Sequence, residues 1–214
     1  MICTSINPAS SSARRTARAW ASTAACRGST RGRGAGITAS GRQGRPRKSR
    51  TRPSALLLSR QNLPYAPKAP SAMAPNASGL DAIAKGGYVL AEPAEVGLKK
   101  KAQAVIIATG SEVQLALHAQ AQLAAVGIAV RVVSMPSTHV FDRQSMAYKV
   151  SVLPAKLPRV AIEAGVTDGW WKYGCAAVVG IDTYGESAPA PQLFKHFHLT
   201  AENLSATVRK VLAR

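Results

Sequence analysis

The residues of this sequence that could carry out chemistry are few and widely spaced. Thr109-Gly110-Ser111 stands between an apolar run and a helical pattern, so its backbone N–H groups could hold an anion at the start of a helix. The turn lacks the G-x-G-x-x-G spacing of a dinucleotide site, and the sequence contains no P-loop. A capped helix, with Ser111 as N-cap and Gln114 completing a capping box, explains the same residues without a ligand. We favour the capped helix, and a ligand at this edge of the predicted sheet is the alternative.

The four histidines do not predict a metal site or a catalytic pair. His196 and His198 stand two residues apart near a predicted helix end, a spacing that directs their side chains apart. His118 falls on the polar side of a helical pattern, and His139 falls in a turn beside Pro136. No Ser, Cys or carboxylate near them has the spacing of a nucleophile and its base. Residue types and spacing alone therefore indicate no catalytic set.

Two further segments have a distinctive composition, one rich in aromatic residues and one typical of a loop. Asp168-Gly169-Trp170-Trp171-Lys172-Tyr173 concentrates aromatic residues after a predicted turn. A packing corner or subunit contact is favoured over base stacking, because acidic residues lie among the basic ones. Gly185-Glu186-Ser187-Ala188-Pro189 is typical of a loop that leads into a helix.

Alternating strand and helix patterns predict the elements that position these residues. Ala104–Ala108 is an unbroken apolar run, as expected of a strand covered on both faces. The helix that follows ends at Gly127, and its predicted apolar face, with 3–4-residue spacing, consists of Val113, Ala116, Leu117, Ala121 and Ala124. Together with this helix and the next strand, Ala104–Ala108 forms a predicted βαβ unit. The fold class predicted is α/β, a three-layer α/β/α sandwich with a mainly parallel sheet. The strands are predicted at 87–91, 104–108, 128–133, 159–163 and 177–181, and the later helices at 190–197 and 201–212, with Thr200 as a cap.

Composition excludes several classes of protein. The chain has 214 residues, a net charge of +18 and 46% hydrophobic residues, enough apolar side chains for a folded core. No apolar run reaches the roughly 18 residues that a membrane span requires. Three cysteines (Cys3, Cys26 and Cys175) without C-x-x-C spacing predict neither a disulfide framework nor a cysteine-rich zinc site, and favour a reducing compartment.

The positive charge is concentrated in residues 1–53, which carry twelve basic residues and no acidic one. This Arg-, Ser- and Ala-rich segment has no helical or strand periodicity and is predicted to be disordered. A nucleic-acid-binding arm with Trp20, an organelle transit peptide and out-of-frame translation of a GC-rich gene all fit its composition. We favour the out-of-frame origin.

Several short segments in order together resemble the C-terminal region of transketolase, in its bacterial form, over about residues 54–214. Each segment alone is weak, but the ordered set is specific. They are Leu58-Ser59-Arg60-Gln61-Asn62-Leu63-Pro64, Ala108-Thr109-Gly110-Ser111-Glu112-Val113, Val133-Ser134-Met135-Pro136-Ser137, Phe141-Asp142, Gly185-Glu186-Ser187-Ala188-Pro189 and Leu193-Phe194-Lys195-His196-Phe197.

The resemblance implies a cytoplasmic, homodimeric enzyme of the pentose phosphate pathway that moves two-carbon ketol units between sugar phosphates. Its thiamine diphosphate and Mg²⁺ or Ca²⁺ lie between the first and middle domains, so the resemblance assigns no catalytic, cofactor-binding or metal-binding residue to this chain. The one site residue it carries over is Arg60, which matches the arginine that binds the phosphate of the substrate. A guanidinium suits that role because it binds phosphate through two parallel hydrogen bonds.

The resemblance also sets the expected domain boundaries and departures. We expect a disordered segment over 1–53, a remnant of the middle domain over 54–64, a proline-rich linker over 65–80 and the C-terminal domain over 81–214. His139 stands where an acidic residue is usual, and His198 stands where a small residue is usual. The segment Tyr173-Gly174-Cys175-Ala176 is about two residues shorter than the family's loop.

The sequence therefore predicts the C-terminal part of a transketolase that is inactive as an isolated chain. Three alternatives stay open: the C-terminal subunit of a split transketolase that pairs with an upstream chain, a nucleic-acid-binding module that uses residues 1–53, and a non-catalytic dimerisation module. Net positive charge by itself attracts polyanions, so we expect nucleic-acid binding to be non-specific. No membrane partner is expected.

Overall fold

The computed structural model of the chain describes residues 62–64, 79–93 and 101–214, which form one five-stranded sheet with helices on both faces. The predictions for residues 1–53 and for residues 65–78 of the linker lie outside the described residues, and so does Arg60. Gly79 and Leu80, which were predicted to end the linker, instead begin a helix. The strands are β1 (Tyr88–Ala91), β2 (Ala104–Ala108), β3 (Val130–Ser134), β4 (Arg159–Ile162) and β5 (Ala177–Val179). The helices are α1 (Gly79–Ile83), α2 (Val113–Ala125), α3 (Thr138–Asp142), α4 (Met146–Val152), α5 (Asp168–Trp171), α6 (Ala190–His196) and α7 (Ala201–Leu212), and a 3₁₀ turn over Gly110–Glu112 precedes α2.

The strands lie in the order β1-β3-β2-β4-β5, and all pairs except β1–β3 are parallel. Ala108 at the carboxyl end of β2 pairs with Ser134 on one side and Ile162 on the other. The predicted βαβ unit is β2–α2–β3, and the predicted edge strand is β1. The α/β class with a mainly parallel sheet is confirmed.

Strand β2 is fully buried because it lies in the middle of the sheet and both its faces are covered. Ile106 points to a core shared with α2 and α7, whereas Val105 and Ile107 point to a second core on the opposite face. A strand with two buried faces requires an apolar residue at every position, which is the pattern of its sequence.

The buried face of α2 differs from the predicted one. Val113, Ala116 and Leu123 are buried, but Ala121, which was predicted to face the core, is exposed. Gln120 is buried instead, and its Nε2 donates to the carbonyl of Val130 at 2.8 Å. Val113 and Ala116 are buried as predicted, and the prediction fails at positions 120 and 121 because an inward-facing glutamine that bonds to a strand carbonyl looks like a surface residue in the sequence.

The capping box predicted at Ser111 and Gln114 is also wrong. The chain enters the helix through the 3₁₀ turn, and the Ser111 hydroxyl donates to Oε1 of Glu112 at 2.5 Å rather than accepting from a backbone N–H. At α7 the predicted cap is confirmed, since the Thr200 hydroxyl accepts from the N–H of Asn203 at 3.2 Å.

Aromatic side chains fill the second core. Trp170 and Tyr173 are buried, and the Tyr173 ring packs edge-on against Phe141 with centroids 6.0 Å apart. The Tyr173 hydroxyl donates to Oδ1 of Asp142 at 2.8 Å, which joins the region after α5 to α3. A packing corner at 168–173, as predicted, therefore exists, while Trp171 stays half exposed.

Candidate functional site

The connections of the sheet diverge at β2. Strand β3, which follows β2 in sequence, lies on one side of it, and β4 lies on the other. Ligand sites of open parallel sheets form outside the carboxyl ends of the strands at such a point. The residues there belong to the loops after β2 (109–112), β4 (163–167) and β5 (180–187), which we call the carboxyl-edge loops.

Glu112 is the buried ionisable group of this edge, with 4% of its surface exposed. Gly110 adopts the left-handed conformation (φ 57°), and the turn there brings the Glu112 carboxylate back over it. Burial raises the pKa of the Glu112 carboxyl, hydrogen bonds from Ser111 and two backbone N–H groups oppose this, and the charge of Glu163 raises it further. The pKa of Glu112 therefore lies above the ordinary value of a glutamate.

Glu163 follows β4 directly and provides the second carboxylate. Its Oε2 accepts a hydrogen bond from Nε1 of Trp170 at 2.5 Å. Within the described ranges, the ion pairs are Arg131–Glu92 and Lys172–Asp142, and neither involves this pair of carboxylates. The edge thus holds two neighbouring carboxylates whose hydrogen-bond donors are neutral.

Asp182 ties the loop after β5 to the loop after β4. Its Oδ1 accepts from the N–H of Thr167 at 2.8 Å, and its Oδ2 accepts from the Thr167 hydroxyl at 2.9 Å. The N–H of Ile181 also donates to the carbonyl of Gly165 at 2.8 Å. These bonds hold the two loops side by side. The exposed carboxylates of Asp168 and Glu186 lie in the same region of the chain, at the start of α5 and in the loop after β5.

Three large apolar side chains are exposed on or beside these tethered loops. Val166, Trp171 and Tyr184 are 65%, 50% and 97% exposed. We call these three residues the apolar edge. Val166 and Tyr184 lie on the two loops that Thr167 and Asp182 hold together, and large exposed apolar patches mark surfaces for contact with other protein.

The histidines do not come together at this edge. His118, His139 and His196 are exposed on helices α2, α3 and α6, and His198 is exposed just after α6. The part of the chain that the structure describes contains no group of three or more His, Cys, Asp or Glu side chains that could hold a metal ion.

The turn at Thr109-Gly110-Ser111 faces the chain's own carboxylate. Since the Glu112 side chain occupies the start of this helix, an external anion would meet a carboxylate there. Sequence reasoning missed the Glu112–Glu163 pair, although one signal was available. Glu163 is the first residue after β4, and Glu112 is the fourth residue after β2. The carboxyl ends of neighbouring parallel strands lie at the same edge of a sheet, so both residues could have been expected at that edge.

The cavity between α2 and α7 does not fit thiamine diphosphate. A cavity of about 190 Å³ lies between α2 and α7, lined by residues that include Leu123, Ser205 and Arg209. Sites for molecules of this size occupy roughly 300–1,000 Å³. The polar residues of its lining are not the ligand set of a metal-bound diphosphate. None of the described helices has the length and apolar character that a membrane span requires.

Comparison with known protein families identifies the sheet and its loops. Residues 86–200, more than half of the chain, match the family model described as the transketolase-like TK C-terminal domain. The chain belongs to the transketolase family. Transketolase 2 of Pasteurella multocida is 49% identical over 163 residues, which is 75% of this chain and 23% of that protein. Transketolase 1 of Vibrio vulnificus is 48% identical over 164 residues, again 75% of this chain and 23% of the relative.

Solved transketolase structures share the fold. The transketolase from Leishmania mexicana superimposes with a TM-score of 0.58 at 40% identity, covering 65% of this chain and 20% of that one. Transketolase from Pichia stipitis, in a complex with sedoheptulose 7-phosphate, gives a TM-score of 0.57 at 40% identity, covering 64% and 19%. The resemblance to the transketolase C-terminal region is confirmed. The chain spans about a quarter of the length of the curated relatives it matches.

Proposed function

We propose that this chain serves as the C-terminal part of a transketolase and does not transfer ketol groups by itself. The observation that carries the proposal is the 49% identity to Pasteurella multocida transketolase 2, which is confined to 23% of that protein. The family resemblance assigns thiamine diphosphate and its metal to domains that this match does not include. A domain without those ligands contributes to catalysis by stabilising the domains that hold them.

The apolar edge is the surface on which we expect the thiamine-binding domains to pack. Tyr184 and Val166 lie largely open to solvent, and Trp171 adds an aromatic ring of the kind enriched at interfaces. Because Asp182 fixes the two loops through Thr167, the edge is presented with little ordering cost on association.

A complementation assay tests this function. The purified chain, supplied with thiamine diphosphate and Mg²⁺, is expected to give no ketol transfer between a ketose phosphate and an aldose phosphate. Pasteurella multocida transketolase 2 truncated before its matching region is expected to gain activity, about tenfold or more, when the chain is added. Activity of the isolated chain would contradict the proposal, and so would a mixture no more active than the truncated enzyme.

Substitutions at the apolar edge sharpen this assay. Tyr184→Ser and Trp171→Ser are expected to raise the concentration of chain needed for half-maximal activity by about tenfold. Val126→Ser is the matched control, since Val126 is 61% exposed but lies at the end of α2, away from the carboxyl-edge loops. Equal effects of all three substitutions would show that the thiamine-binding domains do not pack specifically on the apolar edge. The result of the complementation assay would not be affected.

Arg60 supplies the substrate contact in this proposal. In the complemented enzyme, Arg60→Ala is expected to raise KM for phosphorylated sugars much more than it changes kcat, because a phosphate contact made equally in ground and transition states affects binding alone. Arg60→Lys is expected to recover part of the loss. An unchanged KM in both variants would exclude Arg60 from phosphate binding.

The family resemblance supports a homodimeric enzyme in the cytoplasm as the complete form. Sedimentation of the complemented complex is expected to give two copies of this chain and two of the thiamine-binding chain. A complex with one copy of each would contradict the homodimer.

A further inference from the structure

The cavity between α2 and α7 has the size of a small-molecule site. Its volume is about 190 Å³, and its wall is formed by residues of both helices and of the C-cap of α2. They are Gln122, Leu123 and Val126 on one side and Glu202, Ser205 and Arg209 on the other. Since an apolar cavity of about 150 Å³ holds benzene, this volume suits a molecule of about eight non-hydrogen atoms.

Hydrogen bonds between the two helices fix a negative charge at the cavity. The buried Ser205 hydroxyl donates to Oε1 of Gln122 at 2.8 Å. Nε2 of Gln122 in turn donates to Oε1 of Glu202 at 3.1 Å. Hydrogen bonds from its own backbone N–H, from the Thr200 hydroxyl and from the Gln122 amide lower the pKa of the Glu202 carboxyl. Glu202 is therefore ionised at neutral pH.

Arg209 contributes a positive charge to the same cavity. The spacing of Glu202, Ser205 and Arg209, three and then four positions, places all three on one face of α7. Seven positions correspond to roughly 10 Å along a helix axis, so the backbone separates the two charged residues widely. Glu202 and Arg209 do not form an ion pair with each other, because both ion pairs of the described ranges lie elsewhere. The cavity thus has two opposite charges that are not paired with each other.

The α2 side of the cavity is apolar where these charges are absent. Leu123 is buried, and Val126, three positions later, is 61% exposed. A ligand with an aliphatic body would remove part of the Val126 surface from water, which is favourable.

We propose that the cavity binds a small zwitterion that has an ammonium and a carboxylate at opposite ends of an aliphatic chain, which is the class of the ω-amino acids. The ammonium pairs with Glu202, the carboxylate accepts from the Arg209 guanidinium, and the methylene groups pack on Leu123 and Val126. A ligand with a single charge satisfies one of the two charged residues only. 5-Aminopentanoate, which has eight non-hydrogen atoms, is the probe of matching size.

An NMR titration of the isotope-labelled full-length chain with 5-aminopentanoate tests the proposal. The expected Kd is on the order of 1 mM, as for a ligand of few atoms, with shifts centred on residues 122–126 and 202–209. Pentanoate, which lacks the ammonium, is expected to bind about fivefold more weakly or less. General attraction by the net charge of +18 predicts the opposite order, because it favours the anion over the zwitterion.

An isomer tests the separation of the two charges. 2-Aminopentanoate has the same atoms as 5-aminopentanoate but carries its ammonium next to its carboxylate. It is expected to bind about fivefold more weakly or less, because its charges cannot reach both Glu202 and Arg209. Equal affinity for the two isomers, or for pentanoate and 5-aminopentanoate, would overturn the proposal.

Charge-removing substitutions locate the site. Arg209→Gln and Glu202→Gln are each expected to raise the Kd for 5-aminopentanoate about fivefold or more. Lys210→Gln and Glu186→Gln are the matched controls, since they remove the same charges from exposed residues outside the cavity wall, and they are expected to leave the Kd unchanged. All four residues are exposed, so the fold is expected to tolerate each change. Equal effects of a substitution and its control, or no saturable shift up to about 50 mM ligand, would also overturn the proposal.

Discussion

His198 and Gly127 occupy equivalent positions at the ends of two different helices. Each is the first residue beyond the C-cap and adopts a left-handed backbone, with φ of 55° for His198 and 78° for Gly127. In both caps this residue and the next donate to carbonyls of the last helical turn, from Gly127 and Ile128 after α2 and from His198 and Leu199 after α6. Both ends are Schellman motifs. The left-handed position is occupied by glycine, the residue that favours this conformation, after α2 and by histidine after α6.

Replacing His198 by glycine is expected to stabilise the fold by about 0.5–1 kcal/mol. A left-handed backbone costs an L-residue with a side chain roughly 1–2 kcal/mol, and part of this gain is offset by the greater freedom of glycine in the unfolded chain. The hydrogen bond that the side-chain amide Nδ2 of Asn203 donates to the His198 carbonyl survives the change, because it uses only the backbone of residue 198. Urea denaturation of His198→Gly against the parent measures the difference.

The opposite substitution provides the matched control. No atom lies within 4 Å of a Cβ placed on Gly127, so Gly127→His changes only backbone preference. It is expected to destabilise the fold by about 1 kcal/mol. If both substitutions changed stability in the same direction, backbone conformation would not be the cause.

Tyr173→Phe is expected to destabilise the protein by about 1 kcal/mol at neutral pH, with a loss that shrinks below about pH 4. The Tyr173 hydroxyl donates to Asp142, whose partial exposure keeps the magnitude modest. Burial by itself would raise the pKa of Asp142, but hydrogen bonds from Lys172 and Tyr173 outweigh it and lower the pKa. Stability from a carboxyl of lowered pKa is present above its unfolded pKa and lost as the pH falls through its folded pKa.

Tyr148→Phe separates the effect of charge from that of a lost hydroxyl. The Tyr148 hydroxyl donates to the carbonyl of Gly87 at 2.8 Å, an acceptor that does not titrate. Its removal is expected to cost a similar free energy of unfolding at every pH from 3 to 8. A stability loss in Tyr173→Phe that showed the same flat profile would rule out the ionised Asp142 as its partner.

Cys175 is expected to react with a disulfide reagent at least 100-fold more slowly in the folded chain than in urea at pH 8. Burial raises the pKa of the Cys175 thiol to about 11, with Arg159 opposing this, so about one molecule in a thousand carries the thiolate at pH 8. The measurement uses a Cys3→Ser, Cys26→Ser chain so that one thiol is counted. Equal rates in buffer and in urea would show that the thiol is open to solvent.

Arg131→Lys is expected to destabilise the fold by about 1–2 kcal/mol even though the charge is kept. The Arg131 guanidinium donates to both carboxylate oxygens of Glu92 and to the carbonyls of Ser151 and Val152. A lysine ammonium cannot reach all these acceptors at once. Arg143→Lys is the control, since the exposed Arg143 makes one bond to the carbonyl of His139, and it is expected to change stability by less than about 0.5 kcal/mol.

The strands of the sheet could be predicted because the pattern of apolar residues in a strand depends directly on which of its faces are buried. Ala104–Ala108 needs apolar residues on both faces, and the glycine after α2 marks the end of that helix. The face of α2 was less predictable, since alanine fits core and surface alike and Gln120 turns inward to bond a strand carbonyl. Local patterns cannot show which polar side chain finds a buried partner far away in sequence.

The carboxyl-edge site was hidden for the same reason. Glu112 and Glu163 are 51 positions apart, and each read alone looks like an ordinary residue after a strand. Their proximity depends on β4 lying next to β2, which is a property of the strand order. The Ser111 cap failed because its hydroxyl bonds to Glu112 instead of the helix backbone.

The carboxyl-edge loops and the start of α5 carry several acidic residues, whereas the chain as a whole has a positive net charge. Glu112, Glu163, Asp168, Asp182 and Glu186 all follow the ends of parallel strands, within a chain of net charge +18. These carboxylates disfavour the approach of an anion to this side of the domain. Residues 1–53 carry twelve of the positive charges and no acidic residue, so removing that segment would lower the net charge from +18 to +6 and weaken the attraction of polyanions.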